Sequence, residues 1–281
     1  MNEYMLVEYE KEKEIGFNGY NSKTFIAKDL NTGRRIVVKE MDLCSLDINN
    51  LFSESLLLYK SKHPNIAEIH CAGISNNKIC LFLEYYENGN LKEKIEEGIS
   101  LKNSLKYFLE ITYGVHHIHS KNLLHRDLKP DNILISNRNK AVVSDFGLAE
   151  VLDNKLGQIN TLSLSEEKQK ICQPILAPEL LNNNLIIEDN RSDIYQLGII
   201  LYSLLSKECI FKKFESFNGG IHDIRCLISR GEYYEIDFLY GKIPDSLFNI
   251  LKKLLCVDEK LRYQKCMDVI NDLCLIDLNS P

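Results

Sequence analysis

The spacing of apolar and polar positions changes character near residue 90. Ahead of that point the apolar runs are short and strand-like. Thr24-Phe25-Ile26-Ala27-Lys28 is followed by Asn31-Thr32-Gly33 and then by Arg35-Ile36-Val37-Val38-Lys39. Two such runs around a glycine-containing break predict a β-hairpin. Residues Leu46 to Lys60 place Leu51, Leu57 and Leu58 near one face at helical spacing. His63-Pro64-Asn65 ends that helix, because a proline pushes the residue before it out of the helical region. Ile66 to Ile74 and Lys78 to Tyr86 read as two further strands, and Asn88-Gly89-Asn90 is a break.

Beyond the break the period becomes helical. Ser100 to Ser120 is a long amphipathic helix, and Ser192 to Ser206 is apolar enough all round to be buried. Ser246 to Leu255 and Gln264 to Leu273 are further helices. Between the first two of these four helices Asp153 to Lys170 is polar and reads as a long exposed loop of the kind that is functional or disordered. The expected architecture is α+β. A β-rich lobe with one key helix covers about 1–83, a hinge about 84–90, and a larger helical lobe about 91–281.

Composition narrows this picture. With 281 residues, 44% hydrophobic and 26% charged, the chain suits one large domain or two lobes sharing a cleft. The net charge of −6 comes with no basic block, so no nucleic-acid partner is expected. No apolar run reaches the length of a membrane span. The opening Met1-Asn2-Glu3-Tyr4-Met5 lacks the pattern of a signal peptide, so a cytoplasmic location is expected. The nine cysteines are scattered singly, without a Cys-x-x-Cys pair, and read as reduced, small hydrophobic side chains rather than a zinc or redox motif.

The strongest chemical signal is His125-Arg126-Asp127-Leu128-Lys129-Pro130-Asp131-Asn132, followed by Asp145-Phe146-Gly147. In these residues the chain resembles the protein kinase family, and the resemblance extends from about Glu14 to about Leu273. It implies a bilobal fold that binds ATP with Mg²⁺ and passes the γ-phosphate to a serine or threonine of a protein substrate. Asn132 and Asp145 would hold the metal. Asp127 would orient the attacking hydroxyl and take its proton, and Lys129 would balance charge at the γ-phosphate. Each residue alone has a plainer reading, an Asp as a helix cap or a Lys as a solvated surface charge.

The same resemblance assigns further positions. Lys39, after Val37-Val38, would hold the α- and β-phosphates, directed by Glu54. Gly16 and Gly19 belong to the phosphate-covering loop. Thr24, Val37, Leu83 as gatekeeper, and Leu134 would line the nucleotide pocket. Glu84 and Tyr86 would offer backbone hydrogen bonds to adenine, with Asn90 near the ribose. Leu58, Ile69, His125 and Phe146 match an apolar column linking the lobes. Asp193 matches an anchor of the catalytic loop. Glu179, in Ala177-Pro178-Glu179, is expected to pair with Arg262.

Some positions depart from the family pattern. Phe17-Asn18-Gly19-Tyr20-Asn21-Ser22 stands where a glycine-rich loop is expected, with Gly16 able to supply a shifted turn. Thr24 replaces a valine and Val37 an alanine. Glu150 replaces a basic residue and would repel a phosphorylated loop at Thr161, Ser163 or Ser165. Cys172 stands where serine- and threonine-directed relatives carry threonine, and Ile175 lies near the position of a usual tyrosine. Three functions therefore stay open: an active serine/threonine kinase, a pseudokinase scaffold with weak or no catalysis, and a small-molecule kinase of related fold. No regulatory partner is indicated.

Overall fold

The computed structural model describes residues 7–15, 22–42, 62–145, 150–151, 175–181, 189–208, 221–232 and 236–276. The chain divides into two compact units, residues 1–87 and 88–281.

The first unit is an antiparallel sheet of β1 (Tyr9–Ile15), β2 (Ser22–Asp29), β3 (Arg35–Asp42), β4 (Ile69–Ser75) and β5 (Lys78–Glu84), in the order β1-β2-β3-β5-β4. The expected hairpin is β2–β3, in register from Thr24 opposite Lys39 to Lys28 opposite Arg35. Asp29 closes its turn by accepting the Asn31 amide at 2.9 Å and the Thr32 hydroxyl at 2.5 Å. Gly33 takes φ 71°, which costs a glycine little. Strand β1 was not expected, because Tyr-Glu-Lys-Glu-Lys-Glu-Ile alternates charges rather than apolar residues. It adds to the sheet through main-chain pairing along β2. The helix expected over Leu46 to Lys60 lies outside the described residues.

Because facing residues across a ladder share a side, the register sorts the sheet into two faces. Ala27, Ile36, Val38, Cys80 and Phe82 form a small core on one side, with the Tyr9 ring edge-on to Phe82 at 5.4 Å. The Glu40 carboxylate is buried beside that core. It accepts the Tyr9 hydroxyl at 3.2 Å and pairs with Lys11 and with Lys78. Burial alone would raise its pKa, but the two ammonium groups outweigh that and hold it below the usual carboxylate range.

The second unit is mainly helical. It contains α1 (Leu91–Glu97), α2 (Leu101–Ser120), α3 (Pro178–Leu181), α4 (Asn190–Ser206), α5 (Ile221–Arg230), α6 (Asp245–Leu254) and α7 (Cys266–Cys274). Two short antiparallel pairs join them: β6 (Leu123–Leu124) with β9 (Glu150–Val151), and β7 (Ile133–Ile135) with β8 (Ala141–Val143). Ser100 caps α2 by accepting the Asn103 amide at 3.3 Å, and Phe108, Ile111, Val115 and Ile118 form its buried stripe. Helix α4 is buried continuously from Ser192 to Leu204, as its apolar composition predicts, and packs against α2 and α6. Gly198 makes the α6 contact possible. A Cβ there would lie 2.9 Å from the Leu254 Cβ. The expected loop over Asp153 to Lys170 lies outside the described residues.

Candidate active site

The segment His125 to Asn132 joins β6 to β7 and is mostly buried. At its centre the Asp127 carboxylate is bracketed by two side chains. The Lys129 ammonium donates to its oxygens at 3.0 and 2.9 Å. The Asn132 amide donates to Asp127 Oδ2 at 2.9 Å and to the Asp127 carbonyl at 2.7 Å. Pro130 to Asn132 form one 3₁₀ turn, and that turn brings Asn132 back onto Asp127. Both amide hydrogens of Asn132 are thereby used, so its amide oxygen is the atom it would offer a metal.

Helix α4 holds this loop by its backbone. Asp193 accepts the His125 amide at 2.8 Å and the Arg126 amide at 2.8 Å. Arg126 has φ 68°, a left-handed conformation that a residue with a Cβ keeps only where its surroundings enforce it. Behind Asp193 lies His119, 2.8 Å away, with the Cys266 sulfur 3.4 Å from its other ring nitrogen. Burial pushes the His119 imidazolium down in pKa, but Cys266 and Asp193 outweigh it and hold the value up at about 10. Asp193 is fully buried, which by itself would raise its carboxyl, yet His119 keeps it below the usual range.

Ser144 couples this loop to Asp145. Its amide and its hydroxyl both donate to the Asn132 carbonyl at 2.9 Å, and its own carbonyl accepts His125 Nε2–H at 3.0 Å. The other His125 nitrogen accepts the Asp127 amide at 3.3 Å. Asp145 follows with φ 58° and is exposed. Asn132 and Asp145, the two expected metal ligands, are thus linked through one intervening residue.

The donor set suits Mg²⁺. An amide oxygen and a carboxylate are hard ligands, and Mg²⁺ completes its shell with water and phosphate oxygens rather than a full protein cage. Among the described residues, no group of three or more His, Cys, Asp or Glu side chains is arranged to hold a metal ion by itself.

In the first unit, the ladder gathers four of the expected nucleotide residues. Thr24 faces Lys39, Lys39 faces Leu81, and Val37 faces Leu83. Thr24, Val37, Lys39 and Leu83 therefore share the sheet face opposite to the Ala27–Val38–Phe82 core. The Glu84 amide donates to the Glu68 carbonyl at 3.0 Å, and the Tyr86 hydroxyl accepts the Glu68 amide at 3.4 Å. In the second unit Asn90 forms a β-bridge with Leu134. The Asn90 side chain also caps α1, accepting the Glu93 amide at 3.0 Å. Gly16, Gly19, Glu54, Leu58, Phe146, Thr161, Ser163, Ser165 and Cys172 lie outside the described residues, as does the Glu150 side chain. Ile69 and His125 are both buried.

The Glu179–Arg262 pair is present and bidentate, at 2.9 and 3.0 Å, with Arg262 also donating to the carbonyls of Arg191 and Cys256. Six cysteines are free thiols among the described residues. No helix among the described residues is long and apolar enough to cross a membrane. Two residues of the site were not singled out in the sequence, Ser144 and Gln196. Ser144 leaves no signal in its spacing. Gln196 stands three residues after Asp193, which on a helix places both on one face, and that spacing is the signal that could have found it.

The protein kinase domain family matches residues 9–273. Over 205 residues the chain is 33% identical to serine/threonine-protein kinase Nek5 of Homo sapiens, covering 70% of this chain and 27% of that protein. It is 32% identical over 206 residues to CBL-interacting protein kinase 21 of Oryza sativa subsp. japonica, covering 70% and 38%. With serine/threonine-protein kinase PknD of Protochlamydia amoebophila it shares 29% over 297 residues, covering 94% and 29%. The chain thus spans less than half the length of each of these relatives. The catalytic-loop geometry and the match along nearly the whole sequence agree: this chain belongs to the protein kinase family.

Proposed function

We propose that the chain is an active protein kinase that passes the γ-phosphate of ATP to serine or threonine hydroxyls of a protein. One observation carries this reading. The Asp127 carboxylate is held between Lys129 and Asn132, on a backbone that Asp193 fixes from a buried helix. An aspartate needed only as a cap or a surface charge has no use for such a frame.

In this reading Asp127 accepts a hydrogen bond from the substrate hydroxyl and aims its oxygen at the γ-phosphorus. As the new P–O bond forms, the bond from γ-phosphorus to the bridging oxygen breaks, ADP leaves, and the hydroxyl proton passes to Asp127. Lys129 is close enough to Asp127 to offset negative charge where it develops. Lys39, directed by Glu54, holds the α- and β-phosphates, while Thr24, Val37, Leu83 and Leu134 line the adenine pocket. The Asn132 oxygen and the Asp145 carboxylate would hold Mg²⁺, which would neutralise phosphate charge. The lobe limits of about 1–83, 84–90 and 91–281 belong to the same proposal. The relatives named serine/threonine-protein kinases, together with Lys129 beside Asp127, support the choice of acceptor.

The test is incubation with γ-labelled Mg·ATP and a generic basic protein, followed by identification of the labelled residue. Phosphoserine or phosphothreonine is the expected product. Phosphotyrosine alone would contradict the acceptor class, and no label would contradict the activity.

A further inference from the structure

Helix α4 grips the catalytic loop a second time, through an uncharged residue. Gln196 follows Asp193 by one turn and is 1% exposed. Its amide oxygen accepts the Leu128 N–H at 2.9 Å. Its amide nitrogen donates to the Arg126 carbonyl at 2.9 Å. The Arg126 carbonyl belongs to the peptide entering Asp127, and the Leu128 N–H to the peptide leaving it. Gln196 therefore holds the peptides on both sides of Asp127, whereas Asp193 holds only the amides of His125 and Arg126 ahead of it.

We propose that Gln196 is a positioning residue for phosphoryl transfer, fixing the direction of the Asp127 carboxylate by clamping its two flanking peptides. This rests on the kinase reading above. The direction of a short side chain follows its backbone, and the backbone here includes Arg126 in its left-handed conformation at φ 68°. One side chain, Gln196, donates to the Arg126 carbonyl and accepts from Leu128 at the same time. A primary amide does both from one planar head. An ionised carboxylate only accepts, and an asparagine is one methylene shorter. A misplacement of the reacting group by about 1 Å is enough to slow an enzyme by roughly 100-fold.

The test compares Gln196→Met, which keeps the length and removes both hydrogen bonds, with wild type. Transfer to a basic protein gives kcat and the KM for Mg·ATP, and amide hydrogen exchange reads the loop directly. The expected result is a fall in kcat of roughly 10- to 100-fold with KM unchanged. Exchange at Leu128 should quicken while amides of α2 keep their protection. In an Asp127→Asn background the same substitution should cost no further rate, because Gln196 acts through Asp127. Gln196→Glu, which keeps the acceptor for Leu128, should fall between wild type and Gln196→Met, and it carries the test if the methionine variant does not fold. An unchanged kcat would overturn the proposal. So would a loss of protection across the whole of α2 and α4 with kcat and KM changing together, since that marks a purely structural role. A wild type that transfers no phosphate would instead overturn the kinase reading, and Leu128 exchange would still decide whether Gln196 holds the loop.

Discussion

Glu179 and Arg262, 83 residues apart, meet through two parallel hydrogen bonds of 2.9 and 3.0 Å. The arginine side chain is fully buried and the carboxylate nearly so. Arg262 also lies over the Tyr195 ring at 4.9 Å and satisfies the Cys256 and Arg191 carbonyls. One guanidinium thus ties the segment after α6 to α3 and to the start of α4.

A buried pair of this kind is costly to break from one side, because the remaining charge stays buried without its partner. Arg262→Ala should destabilise the protein by about 3–5 kcal/mol. Replacing both residues by methionine should recover much of that loss. Denaturant unfolding of the two variants checks it, and equal losses would show that the charge pair is not the source.

The buried His119–Asp193 contact makes stability depend on pH on the alkaline side. The folded pKa of His119 is raised from 6.5 to about 10, so the native state holds a proton that the unfolded chain has lost. Its contribution is complete below about 6.5, declines as pH rises, and is gone above about 10. The slope is at most about 1.4 kcal/mol per pH unit. Urea unfolding of wild type and His119→Gln across that range should show the difference between them shrinking as pH rises. A constant difference would contradict the pairing.

Much of this fold was legible from periodicity. The β2–β3 hairpin follows from two β-branched runs around Asn31-Thr32-Gly33, and α2 and α4 begin within two residues of their expected starts. Strand β1 was not legible, since alternating Glu and Lys offer no apolar face and its pairing comes from the backbone. The short β6–β9 and β7–β8 pairs are too brief for a period to show. Within the site, Asp127, Lys129 and Asn132 could be read because they sit within six residues of one another. Gln196 could not be read as easily, because its partners Leu128 and Arg126 lie 68 and 70 residues away and are main-chain atoms, which carry no residue identity.

Asp145 is expected to act on the metal rather than on the hydroxyl. Asp145→Ala should abolish the Mg²⁺-dependent part of nucleotide binding, and chelation with EDTA should do the same to wild type. Thermal shift with ATP, with and without Mg²⁺, measures both. A variant that kept the full Mg²⁺-dependent shift would assign the metal elsewhere.

The most direct measurement is the single-turnover rate of Asp127→Asn beside wild type, with ATP binding measured on the same samples. Asparagine preserves the size of the side chain but cannot take a proton, and it faces Lys129 without charge. The account predicts a rate at least roughly 100-fold below wild type with nucleotide affinity nearly unchanged. A variant that retained the wild-type rate would contradict the role given to Asp127, and with it the mechanism.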